Sequence, residues 1–88
     1  MNKHIELVKK WLADPASVSL EELQGNSDAA WATWSTVAYD GTYEEYGAYY
    51  TANAASDAAN AATYADARTK VKHWIIRYEE LNKEQGDE

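Results

Sequence analysis

The sequence predicts an all-α protein: a small helical domain of a short, a medium and a long helix packed antiparallel. Three observations carry this. Apolar residues near the N-terminus recur at helical spacing, with Ile5, Val8 and Leu12 on one stripe. Two capping boxes, Ser19-Leu20-Glu21-Glu22 and Thr42-Tyr43-Glu44-Glu45, mark helix starts. From 43 to 83 there is no proline and one glycine, Gly47, while alanine, the best helix former, fills the middle.

Residues 3–13 read as the short helix. Leu7 and Trp11 flank its apolar stripe and Lys9 and Lys10 face away. Asp14-Pro15 ends it, because the residue before a proline is pushed out of the helical region. The second helix spans 19–39, with a weak point at Gly25-Asn26-Ser27, since glycine costs about 1 kcal/mol in a helix interior. Asp40-Gly41 is its stop, with glycine in the left-handed position past the end. The third helix is expected to run unbroken over 43–83, leaving 84–88 as a frayed tail.

The stretch 42–70 contains no Leu, Ile, Val, Met or Phe, yet it does not read as a linker. Flexible linkers carry Gly, Ser or Pro in quantity. Polar residues recur here at Asn53, Asp57, Asn60 and Tyr64, one face of a helix, with alanines around them. A helix over 43–83 would be roughly 60 Å long at about 1.5 Å per residue. The second helix would lie along its first half, setting Trp31, Trp34 and Val37 on Ala48, Ala52, Ala55, Ala59 and Ala62. The first helix would cover its second half, setting Ile5, Val8 and Leu12 against Val71, Trp74, Ile75, Tyr78 and Leu81. Large side chains against alanine let helix axes approach closely.

The 88 residues form one domain of 1–88, and the absence of cysteine excludes disulfides, thiolate metal sites and a cysteine nucleophile. No apolar run approaches a membrane span, and the N-terminus does not read as a signal peptide, so a cytoplasmic location is expected. The net charge of −7 argues against direct binding of nucleic acid. Its distribution is uneven. Residues 11–67 hold nine acids and no Lys or Arg, and all eight basic residues sit in the two ends.

Nothing in the chain has the spacing of a catalytic site. His4 and His73 lack partners at metal-ligand spacing. The carboxylate pairs Glu21/Glu22 and Glu44/Glu45 serve capping, and Glu79/Glu80 lie on a solvated end. Asp57 and Asp66 are nine residues apart, too far for a shared-proton dyad. The expectation is a protein that is not an enzyme, with no cofactor and no metal. The stretch "TANAASDAANAAT" is locally similar to alanine-rich helical antifreeze proteins, but its threonines lack their regular interval.

The strongest candidate surface is aromatic and acidic. Tyr39, Tyr43, Tyr46, Tyr49 and Tyr50 fall within twelve residues, beside Asp40, Glu44 and Glu45. Tyrosine offers large contact area with few rotatable bonds. In a chain without Phe the same rings can also serve as core. The acids Asp28, Asp40, Glu44, Glu45, Asp57 and Asp66 could present a negative surface to a basic groove.

The start "HIELVKKWLADPASVSLEELQ", the alanine-repeat middle and the end "WIIRYEEL" resemble small uncharacterised alanine-repeat-rich proteins of tailed bacteriophages. Trp31, Trp34 and "GTYEEYG" depart from their pattern. The resemblance implies a phage accessory origin and assigns no activity. The expected function is a non-enzymatic acidic binding protein that occupies a host protein with a basic surface. An inhibitor of a host defence component, anti-CRISPR-like and acting by nucleic-acid mimicry, is one form of it. The alternative is a self-assembling structural protein pairing through its alanine face. A monomer or a homodimer fits these readings.

Overall fold

The computed structural model describes residues 2–37, 43–60 and 67–84, with the backbone alone at 37, 43–45, 67 and 84. Among the described residues there are four α-helices and one short 3-10 turn. They are α1 (Lys3–Ala13), the turn (Pro15–Ser17), α2 (Leu20–Val37), α3 (Tyr43–Ala59) and α4 (Ala67–Glu84). The described residues include no strand and no helix long and apolar enough to cross a membrane.

α1 starts at a cap the sequence reading missed. The Asn2 side chain accepts from the amides of His4 and Ile5, and its own amide donates to Thr51 of α3 at 3.0 Å. The helix buries Ile5, Val8 and Trp11. Leu12 and Leu7 are only partly buried against the same core. The chain leaves the helix at Asp14, before Pro15.

α2 opens on the expected capping box. The Glu22 amide donates to Ser19 Oγ at 3.0 Å, and the Ser19 amide donates to Glu22 Oε1 at 2.9 Å. Hydrogen bonds from the Ser19 amide and hydroxyl hold the Glu22 carboxyl below its ordinary pKa. The box therefore holds above the ordinary carboxylate range and weakens as pH falls through the lowered pKa. α2 then passes through Gly25 without a break. The reason is tertiary. His4 Nδ1 pairs with Asn26 Oδ1 at 2.7 Å, and the Asn26 amide donates to the His4 carbonyl at 3.1 Å. Ser27 beside it is buried. His4 is thus a half-buried link between α1 and α2.

The helix expected over 43–83 is two helices. α3 ends at Ala59 and α4 begins at Ala67, antiparallel to it. The Trp74 indole N–H reaches Asp57, the Arg77 guanidinium reaches Tyr50, and Leu81 lies beside Gly47. The molecule is 34 Å in its longest dimension, which a roughly 60 Å helix could not fit. Helix propensity differs by only about 0.7 kcal/mol per residue among ordinary residues, so packing decides. Folding back lets Val71 and Ile75 join the core with Ile5 and Val8. An extended helix would leave much of that stripe in water.

α3 packs against all three other helices. Ala52, Ala54, Ala55 and Ala58 are at most 1% exposed. A helix buried this widely needs small side chains for its neighbours to approach. The alanine bed is thus offset from the expected one, because Ala48 and Ala59 are only half-buried. Trp31 and Trp34 pack partly against it. Ala62 and the side chain of Val37 lie outside the described residues.

α1 also touches α4 through long side chains. Lys9 pairs with Glu79 at 2.6 Å, and Arg68 donates to the Leu12 carbonyl at 2.9 Å with its guanidinium carbon 5.4 Å from the Trp11 ring centre. The Glu79 contact raises the Lys9 pKa. Arg68 supplies a cation and a donor where α1 exposes its last carbonyls. The expected packing of Trp74 on α1 is corrected by this arrangement: the Trp74 ring faces α3.

Candidate functional site

Trp74 is the centre of an aromatic row that crosses three helices. Its ring stacks on Tyr50 at 6.1 Å and meets Tyr49 edge-on at 5.9 Å. Tyr49 contacts Trp34 of α2 at 6.3 Å, and Trp34 meets Trp31 edge-on at 5.8 Å. His73 stands against the near edge of Trp74 at 5.0 Å. These separations are those of favourable aromatic pairs, each worth about 0.5–1.5 kcal/mol beyond burial. The α-helical spacing of Tyr46, Tyr49 and Tyr50 points them toward one side of α3, and α2 and α4 add their rings on either flank.

The row is only part-covered. Tyr46 is 52% exposed and Tyr49 40%, while Trp34, Tyr50 and Trp74 are half-buried. Three hollows open along it. One of about 340 Å³ is lined by Trp34, Tyr46, Tyr49 and Tyr50. A second, of about 220 Å³, lies between Tyr50, Arg77, Glu80 and Leu81. The third, of about 570 Å³, lies over Asn53, Asp57, Thr69, Lys70, His73 and Trp74.

The nominated residues are distributed as follows. Tyr46, Tyr49 and Tyr50 come together on this face. Asp28 is exposed on α2. Asp57 is half-buried and accepts the Trp74 indole N–H at 2.8 Å, so it positions a ring. Tyr39, Asp40 and Asp66 lie outside the described residues, and the side chains of Tyr43, Glu44 and Glu45 do too. Trp31, Trp34, His73, Trp74 and Arg77 join the face without having been nominated. For His73, Trp74 and Arg77 the signal is absent from local sequence, because it depends on α4 folding back along α3, whereas Trp31 and Trp34 were expected against this helix as core.

The fold also redistributes charge. α1 and α4 carry all the lysines and arginines and touch through Lys9 with Glu79 and Arg68 with Leu12, while α2 and α3 carry none. The molecule is therefore electrically two-sided, and the aromatic row crosses the seam between α3 and α4. Arg77 of α4 reaches across it: its guanidinium carbon lies 5.6 Å from the Tyr50 ring centre, and a nitrogen is 3.4 Å from the Tyr50 hydroxyl. The tyrosine cluster is thus approached by an arginine that the linear sequence places far away.

Among the described residues, no group of three His, Asp or Glu side chains converges as metal ligands. Comparison with protein-family models, curated proteins and solved structures finds no match.

Proposed function

We propose that the protein is a non-enzymatic binding module that holds a partner protein on the aromatic face where α2, α3 and α4 meet. The observation that carries this reading is the continuous row from Trp31 to Trp74, with Tyr46 and Tyr49 left about half open to solvent. Tyrosine and tryptophan in part-desolvated hollows are the usual energetic anchors of protein interfaces. The acidic α2/α3 half would steer a basic partner, with Asp28 among the exposed charges. On the resemblance of the chain's ends to phage proteins, the partner we propose is a host protein with a basic surface, which binding would inhibit.

The alternative of pairing through alanine gains no support from the burial pattern. Ala52, Ala54, Ala55 and Ala58 are covered by the chain's own helices. The test is capture of a host protein, its purification, and measurement of its affinity for the parent and for Tyr46→Ala/Tyr49→Ala at two salt concentrations. The reading expects at least tenfold weaker binding by the variant and weaker binding of the parent in high salt. Affinity untouched by both would refute it.

A further inference from the structure

The hollow lined by Trp34, Tyr46, Tyr49 and Tyr50 differs from its neighbours in that its wall, among the described residues, holds no charged or amide side chain. Its rings are inclined to one another, by 52° for Trp34 and Tyr49 and 60° for Tyr49 and Tyr50. Inclined rings make a cup. Aromatic faces carry negative charge density, so such a cup attracts a cation of low hydration more than a neutral group of the same shape. The hollow lies between α2 and α3, the two helices without a lysine or arginine. The surrounding field favours the same sign.

The molecule already places a cation on this row, since Arg77 lies against Tyr50. Arg77 belongs to the adjacent hollow, where Glu80 also stands. A carboxylate next to it, Glu80, tempers its repulsion of a second cation. The site is also the right size for a side-chain end: about 340 Å³ is at the small end of ligand hollows.

Resting on the reading of this face as a binding surface, we propose that the aromatic cup receives the alkylammonium end of a lysine side chain, methylated or unmethylated, from the partner protein. The occupant is assigned by charge complementarity. A basic partner meets the acidic half of the molecule, and the cup is the one hollow on the row walled by rings alone among those described.

The experiment titrates the intact protein with choline and with dimethylbutanol, its uncharged carbon isostere, following tryptophan fluorescence and indole proton shifts. Choline should bind roughly two- to fivefold tighter than the isostere, the ratio expected of an exposed cation–π contact. Tyr49→Leu keeps apolar bulk and removes the ring face, so choline affinity should fall by roughly the same factor. Tyr46→Leu provides the same readout should Tyr49→Leu lose helicity by circular dichroism. A lysine-containing peptide should displace choline, and its norleucine counterpart should not. Equal binding of choline and isostere, absence of choline binding, or unchanged affinity in the leucine variants would overturn the cup. Choline binding that lysine peptides leave untouched would overturn the side-chain occupant in favour of a free amine. A partner lost on Tyr46→Ala/Tyr49→Ala from a protein that ignores choline would overturn the cup alone and leave the binding face standing.

Discussion

The two halves of α3 solve different problems on one backbone. In residues 43–50 four of eight side chains are tyrosine, and Tyr46 and Tyr49 reach solvent. In residues 51–59 alanine dominates, and Ala52, Ala54, Ala55 and Ala58 are almost wholly covered. The second half is where neighbours close around the helix, so it is built from side chains too small to hold them off. Burying alanine itself contributes little, since transfer energy follows apolar area. The stabilising area comes from Ile5, Val8, Leu23, Val71 and Ile75, which the thin helix lets converge. The first half is where space opens, and large rings build outward from it. Side-chain volume, more than hydrophobicity, separates core from face along this helix.

Adding bulk to the thin half should have the largest effect. Ala55 is 0% exposed, so Ala55→Leu forces neighbouring helices apart. The expected cost is about 1–3 kcal/mol, read as a melting temperature lower by about 4–8 °C per kcal/mol. Asn60→Leu, at an exposed position just past the helix, should stay within about 0.5 kcal/mol. Equal effects at the two sites would erase the distinction between the halves.

Asp57 joins the buried half to the aromatic row through Trp74. Asp57→Ala removes the acceptor of the indole N–H, for an expected loss of about 1 kcal/mol at this half-buried site. Asp57→Asn keeps an acceptor and should recover most of it. Denaturant midpoints of the two variants check this. Two equally weakened proteins would mean that the charge, and not the hydrogen bond, supports the ring.

What the sequence made legible is local. The stripe of Ile5 and Val8, the stop at Pro15 and the reciprocal bonds of Ser19 and Glu22 depend on residues within a turn or two of each other, and the structure has them. The fold-back between α3 and α4 was not legible. No proline lies between 43 and 84, and alanine favours helix throughout the middle. The gain that favours two helices over one comes from contacts such as Asp57 with Trp74, seventeen residues apart in sequence. The site inherits the same limit. Tyr46, Tyr49 and Tyr50 were visible as a cluster, while Trp34, Trp74 and Arg77 become their neighbours only through packing. The His4–Asn26 link beside Gly25 was hidden for the same reason.

Gly47 tests whether the open half tolerates volume. A methyl group there would meet Leu81 Cδ2 at 3.7 Å and Tyr78 Cε1 at 3.9 Å, both ordinary contact distances. Gly47→Ala also removes backbone freedom from the unfolded chain. The expected result is a gain of about 0.5–1 kcal/mol, opposite in sign to Ala55→Leu nearby. Thermal melts of the two variants provide the contrast. A destabilised Gly47→Ala would place the tight crossing of α3 and α4 at this glycine and extend the close-packed region into the first half.

The smallest effect on stability, and the sharpest on the comparison, is expected from Tyr46→Ala. Tyr46 is 52% exposed, and the hollow it lines is open to solvent. Removing its ring creates no enclosed cavity, so the melt should move by no more than the equivalent of about 0.5 kcal/mol. Tyr49 differs, because it touches Trp34, Tyr50 and Trp74 at once. Tyr49→Ala should therefore lose stability by about 0.5–1.5 kcal/mol or more from ring pairs alone. Each substitution should weaken a partner held on this face, so affinity and melting temperature separate at Tyr46 and fall together at Tyr49. A Tyr46→Ala protein that melts as far below the parent as Tyr49→Ala would show the first half of α3 to be core like the second. The exposed end of the row would then be the rim of that core, and partner binding would have to be sought on the α1/α4 side, where the positive charge lies.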